Sequence, residues 1–183
     1  MNSKQRLQRA WLNLRDAVTE NKIFDCQEMF RHACTFCECA DMALEKHMHD
    51  TADIGFYTSP ATINSAFACE VFMKAILKHQ DVKSPKSHKL RDLYEALPME
   101  LKEWIKNKVS GGYRDMWTNI WGQDYLDNIS NAFVEWRYSY EHEWSKSSTM
   151  HIEIGFLNRF RDALREACCQ MLFSTTWEEY KGR

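Results

Sequence analysis

Residues 63–77 read INSAFACEVFMKAIL, and this stretch decides the fold. On a helix its apolar side chains (Ile63, Ala66, Phe67, Ala68, Cys69, Val71, Phe72, Met73, Ala75, Ile76 and Leu77) fall on most sides. A helix with so little polar surface belongs inside a bundle of other helices. Two charges interrupt it, Glu70 and Lys74, four residues apart with the acid first, the favourable order for an intrahelical ion pair. Just upstream, Ser59-Pro60 offers a capping hydroxyl and a proline for the first helical position, where its missing N–H is not needed.

Working outward toward the N-terminus, Met29, Phe30, Ala33, Phe36, Cys37, Ala40 and Leu44 form a second apolar stripe, on a helix expected to end near Lys46. Asp25 followed by Glu28 has the form of a capping box, which places the start of that helix there. A separate amphipathic helix is expected from Gln5 to about Thr19, through Leu7, Ala10, Trp11, Leu14 and Val18. The period is lost between His47 and Thr58, which reads as a connection.

Toward the C-terminus, His88 opens a short helix closing at Leu97, and Pro98 opens another to about Val109 that buries Leu101, Trp104 and Ile105. Ser110-Gly111-Gly112 is the clearest break; the flanking helices are too short to stand alone, so it reads as a bend (110–112) within a single domain, 1–183. The helical pattern resumes from Asp124 through Tyr125, Ile129, Ala132, Phe133 and Trp136. Ser148 or Thr149 is placed to cap a last long helix burying Ile152, Phe156, Phe160, Ala163, Leu164, Ala167 and Met171, and the polar tail, 174–183, is expected to fray.

With 183 residues the chain can bury a sizeable core, and six glycines, three prolines, 44% hydrophobic and 13% aromatic residues favour an all-α protein. A net charge of −2 excludes a molecule that attracts nucleic acid over its whole surface, so any polyanion site must be a local patch. One such patch exists: from Lys74 to Arg91 six cations face only Asp81, with His79 and His88 nearby. Lys78, Lys83, Lys86, Lys89 and Arg91 are therefore candidate RNA-binding residues, although a solvated loop accounts equally well for the lysines. Tyr113, Trp117 and Trp121 offer rings that stack on bases or, more in keeping with large aromatics, pack in the core.

Seven cysteines, an odd number lying mostly on apolar helix faces, suit a reducing cytoplasm. Nothing at the N-terminus resembles a signal peptide, and no apolar run approaches the ~20 residues of a membrane span. Cys34, Cys37 and Cys39 with His32, and His47 with His49, superficially suggest metal sites. No second cysteine pair stands at suitable spacing, so packing is the simpler role, as it is for Cys168 and Cys169, and neither metal nor cofactor is expected. There is no glycine-rich phosphate loop, G-x-S-x-G elbow or H-E-x-x-H motif, which disfavours nucleotide hydrolysis, serine hydrolysis and zinc proteolysis.

The chemistry is expected in Asn131–His142, NAFVEWRYSYEH. At about 100° per residue Arg137 and Glu141 share a helix face, and His142 sits roughly 140° from Arg137. One straight helix cannot aim both at one atom, so either the helix ends near His142 or a second copy supplies the missing partner. Histidine moves protons near neutrality and arginine forks onto phosphate oxygens, the two abilities that metal-free RNA cleavage needs. The plainer account pairs Arg137 with Glu135 or Glu141 and lets His142 end a helix near its negative pole.

Three pieces in order, Ser65–Leu77, His88–Tyr94 and Phe133–Tyr138, resemble the HEPN superfamily of helical domains. The resemblance implies an antiparallel helical bundle of HEPN type with additional short helices, and a homodimer whose paired helices bring together an Arg and a His. Many members are metal-independent ribonucleases of toxin–antitoxin and phage-defence systems, which implies RNA as substrate and a cognate antitoxin or other partner protein. Arg137 and His142, with four residues between them, match the spacing of the active pair, and Glu141 would orient or assist. Active members carry a small polar residue after the Arg, where this chain has Tyr138. Members without the pair serve as RNA-binding or interaction modules, the alternative function the resemblance implies.

Overall fold

The computed structural model describes residues 3–49, 57–111, 125–137 and 152–182, with residues 3–18 and 47–49 as backbone alone. Every regular element among them is a helix: α1 (Ser3–His49), α2 (Thr58–His79), α3 (Leu90–Glu95), α4 (Met99–Ser110), α5 (Tyr125–Ser130), α6 (Ala132–Arg137), α7 (Ile154–Phe173) and α8 (Trp177–Lys181). No helix among the described residues is long and apolar enough to cross a membrane.

α2 lies at the centre, packed by α1, α7, α6 and α3. Phe72, Met73, Ile76 and Leu77 are fully enclosed, each large side chain contributing about 1.5–3 kcal/mol on leaving water. The helix begins at Thr58, without a side-chain cap, so Ser59 and Pro60 stand inside the first turn rather than at its edge. Proline costs nothing there, because the first-turn N–H groups have no intrahelical acceptor.

α1 runs unbroken where two helices were expected. The capping residues at the supposed break are engaged otherwise: Asp25 accepts from Lys78 Nζ at 2.6 Å and Glu28 pairs with Arg31 one turn on. No glycine or proline between Thr19 and Asp25 removes a backbone donor or favours a turn, so the helix continues. It also extends through His47–His49, which had read as connection. The expected stripe is in place, with Phe30, Ala33, Cys37 and Ala40 fully buried.

The pairs Asp25 with Lys78, Phe30 with Phe72, and Phe36 with Phe67 show α1 and α2 antiparallel. α7 is antiparallel to α1, through Arg161 on Asp41 and Phe173 on Phe30. α2 and α7 run parallel, since Ser65 meets Arg161 and the Phe72 carbonyl accepts from Cys168 Sγ seven residues further along both. The bundle is therefore not antiparallel throughout, because the chain between α2 and α7 is long enough to return it to the end where α2 began.

The segment expected as one helix from Asp124 is two, α5 and α6, separated at Asn131, whose carbonyl accepts from Val134 and Glu135 to begin α6. α7 starts after an N-cap at Glu153, so neither Ser148 nor Thr149 caps it, and Ile152 packs from outside the helix. The tail does not fray at Thr176: a capping box joins Thr176 and Glu179, and Glu166 accepts from Trp177 N at 2.9 Å. Trp177 and Tyr180 of α8 then close over Phe30.

Candidate functional site

On α2 the single acid–base interruption becomes an anchored cluster. Lys74 Nζ donates to Glu70 Oε1 at 2.6 Å, the pair its spacing suggested. The Glu70 side chain is only 3% exposed. After α2 the chain turns at Asp81, in the left-handed conformation at φ 57°. The following loop returns to set His88 Nδ1 2.9 Å from the same Oε1. An ionised carboxylate can only accept, so Nδ1 carries the proton between them. His88 is 62% exposed, so its second nitrogen, Nε2, belongs to a ring open to solvent. Glu70 Oε2 is buried without a hydrogen bond among the described residues.

The loop is held at its far end as well. Ser87 Oγ accepts from Lys89 N at 3.0 Å and donates to Asp92 at 2.6 Å. Ser130, at the end of α5, accepts from Arg91 N at 3.1 Å and so satisfies a first-turn donor of α3. His88 is thereby fixed from α2, α3 and α5 together.

Phe133 on α6 joins this cluster to Arg137. Its ring stacks on Phe67 of α2 at 4.9 Å between centroids, lies 6.1 Å from the His88 ring, and carries the Arg137 guanidinium at 4.9 Å. Arg137 is the exposed last residue of α6. An arginine over an aromatic face at an exposed site gains about 0.5–1 kcal/mol.

The residues singled out from sequence fall into three groups. Glu141 and His142 lie outside the described residues, as do Tyr138, Tyr113, Trp117 and Trp121. Lys78 and Arg91 are spent in surface ion pairs, with Asp25 and Asp127 respectively. Lys83, Lys86 and Lys89 are exposed along the loop that ends in α3 and make no ion pair among the described residues. The tie between Glu70 and His88 was missed, since 18 residues separate them; the available signal was an acid on an otherwise apolar helix, which demands a partner beyond one lysine.

Among the described residues no group of histidine, cysteine and acidic side chains has the arrangement to hold a metal. Cys37 is buried, Cys34 half-buried and Cys39 exposed, so the three face different surroundings. Burial pushes the Cys34 thiol up to about 12 and Cys37 to about 11, which suits apolar packing and not a ligating thiolate. Cys168 and Cys169 donate to different carbonyls, those of Phe72 and Thr176, as packing residues on two sides of α7. Comparison of the chain with protein-family models, with curated proteins and with solved structures found no match in any of the three.

Proposed function

We propose that the chain is a HEPN-like, metal-independent endoribonuclease working as a homodimer in a toxin–antitoxin or phage-defence setting. The observation that carries this reading is the meeting of Arg137 with the lysine-bearing loop: Arg137 and His88 border the same Phe133 ring, and Lys83, Lys86 and Lys89 line the chain beside it. Exposed lysines without acidic partners among the described residues attract a phosphate backbone, and a guanidinium beside them offers a fork for the charge that grows on phosphorus during cleavage. In this reading the 2′-oxygen attacks phosphorus, the bond to the 5′-oxygen breaks, Arg137 steadies the phosphorane charge and His142 transfers protons, with Glu141 assisting. The products are a 2′,3′-cyclic phosphate and a free 5′-hydroxyl.

A second reading, a non-catalytic module that binds RNA or a partner protein, is favoured by Tyr138, a bulky ring directly after Arg137. Incubation of the wild type and a His142→Ala variant with mixed RNA in EDTA separates the two. Cyclic phosphate ends made by the wild type and lost in the variant support the enzyme. RNA retained without cleavage by a folded wild-type dimer supports the module instead.

A further inference from the structure

Glu70 is an expensive residue for what the ion pair alone would return. A carboxylate withdrawn from water needs compensation, and an i,i+4 pair with a lysine supplies a few tenths of a kcal/mol on a helix surface. Here both ordered donors, Lys74 and His88, converge on one oxygen, and the other has none. The histidine they hold is not packed away: it keeps most of its surface in solvent while only Nδ1 is engaged. A purely structural tie would gain by covering the ring. A ring with one nitrogen held by a buried carboxylate and the other open is instead set up to meet a substrate, because the carboxylate fixes its orientation.

We infer that His88, oriented by Glu70, is the general base of the RNA cleavage proposed above, an inference that rests on that reading. His88 Nε2 takes the proton of the 2′-hydroxyl as the 2′-oxygen bonds to phosphorus. The bond from phosphorus to the 5′-oxygen then breaks, and that oxygen takes a proton from water. The imidazolium then gives its proton to the hydroxide left behind, which returns His88 to its starting state. Glu70 touches no substrate and acts through His88 as a positioning residue.

The test uses the full chain in EDTA with a single-stranded, fluorophore-and-quencher-labelled RNA of mixed sequence. His88→Asn is the informative variant, because its amide N–H can still donate to Glu70 and hold the loop while no second nitrogen remains. We expect it to cleave about 100-fold more slowly or worse, with RNA retention unchanged, the loss typical of removing a positioned acid or base. His88→Ala is expected to regain activity on addition of free imidazole. Glu70→Gln should lower kcat and leave KM alone, and joining it to His88→Asn should cost nothing further, since both act through one ring. Wild-type rates in His88→Asn, or a loss in His88→Ala that imidazole does not relieve, overturn the inference and leave the ribonuclease reading standing. Absence of cleavage by the folded wild type overturns both.

Discussion

Cys34 and Cys37 show how strongly a side chain's behaviour follows its enclosure. Burial raises Cys34 from 9.0 to about 12, with the neighbouring Cys37 adding to it, and burial raises Cys37 to about 11 against the lowering pull of Arg161 and Arg165. Cys69 and Cys168 are pushed well above the ordinary thiol range for the same reason. A folded thiol that resists ionisation binds more protons than the unfolded chain above pH 9, so stability is whole below that pH and declines as it rises. The decline runs to about 11 for Cys37 and about 12 for Cys34, at up to about 1.4 kcal/mol per pH unit for each thiol. Urea midpoints measured from pH 8 to pH 11 should fall accordingly, and Cys34→Ser should flatten the slope. With a disulfide-exchange reagent at pH 8, Cys39 should react at once and the other six only as the protein unfolds. The packing role of these cysteines was legible from their helical spacing. Glu70 with Lys74 was legible too, being local. The third member of that cluster was not, because a loop of undefined course lies between Lys74 and His88.

Helix ends were the least readable features, and the reasons differ from one to the next. At Asp25 and Glu28 the residues had the right chemistry for a start, but stronger partners on α2 and on α1 itself drew the carboxylates away. At Thr176 a true capping box stood in a segment too short and polar to reveal itself by periodicity; it holds because Trp177 and Tyr180 bring α8 down onto Phe30 and Phe173. Thr176→Ala should therefore cost about 1 kcal/mol, read as a lower urea midpoint with unchanged slope. Between α7 and α8, Ser174 adopts a left-handed conformation at φ 52°, ψ 39°, where a side chain is strained and glycine is not. Ser174→Gly should raise stability by about 0.5–1 kcal/mol, measured the same way, since relief of that strain outweighs the added freedom of the unfolded chain.

The overall arrangement was legible to the extent that one helix announced itself as central. Residues 63–77 had too little polar surface to lie anywhere else, and α2 is enclosed by α1, α3, α6 and α7. The parallel course of α2 and α7 was not legible, because relative direction depends on connections whose path periodicity does not describe. Of the candidate site, the basic loop and Arg137 were evident as charges in the sequence, whereas their meeting at Phe133 depends on α6 returning to α2 across more than fifty residues.

The position of α2 also divides the candidate site by timescale. Amide hydrogens exchange with solvent water only when their hydrogen bonds open, and an element walled in on several sides opens only when the whole molecule does. The amides of Phe72, Met73 and Ile76 should be among the last to take up deuterium, with protection matching the global unfolding free energy. Those of residues 83–88, in a surface loop, should exchange within seconds. Glu70 and Lys74 thus sit on the slowest clock in the protein and His88 on one of the fastest, joined by a single oxygen atom. An RNA that settles on the loop should slow its exchange by orders of magnitude and leave α2 unchanged, registering occupancy in a handful of backbone positions.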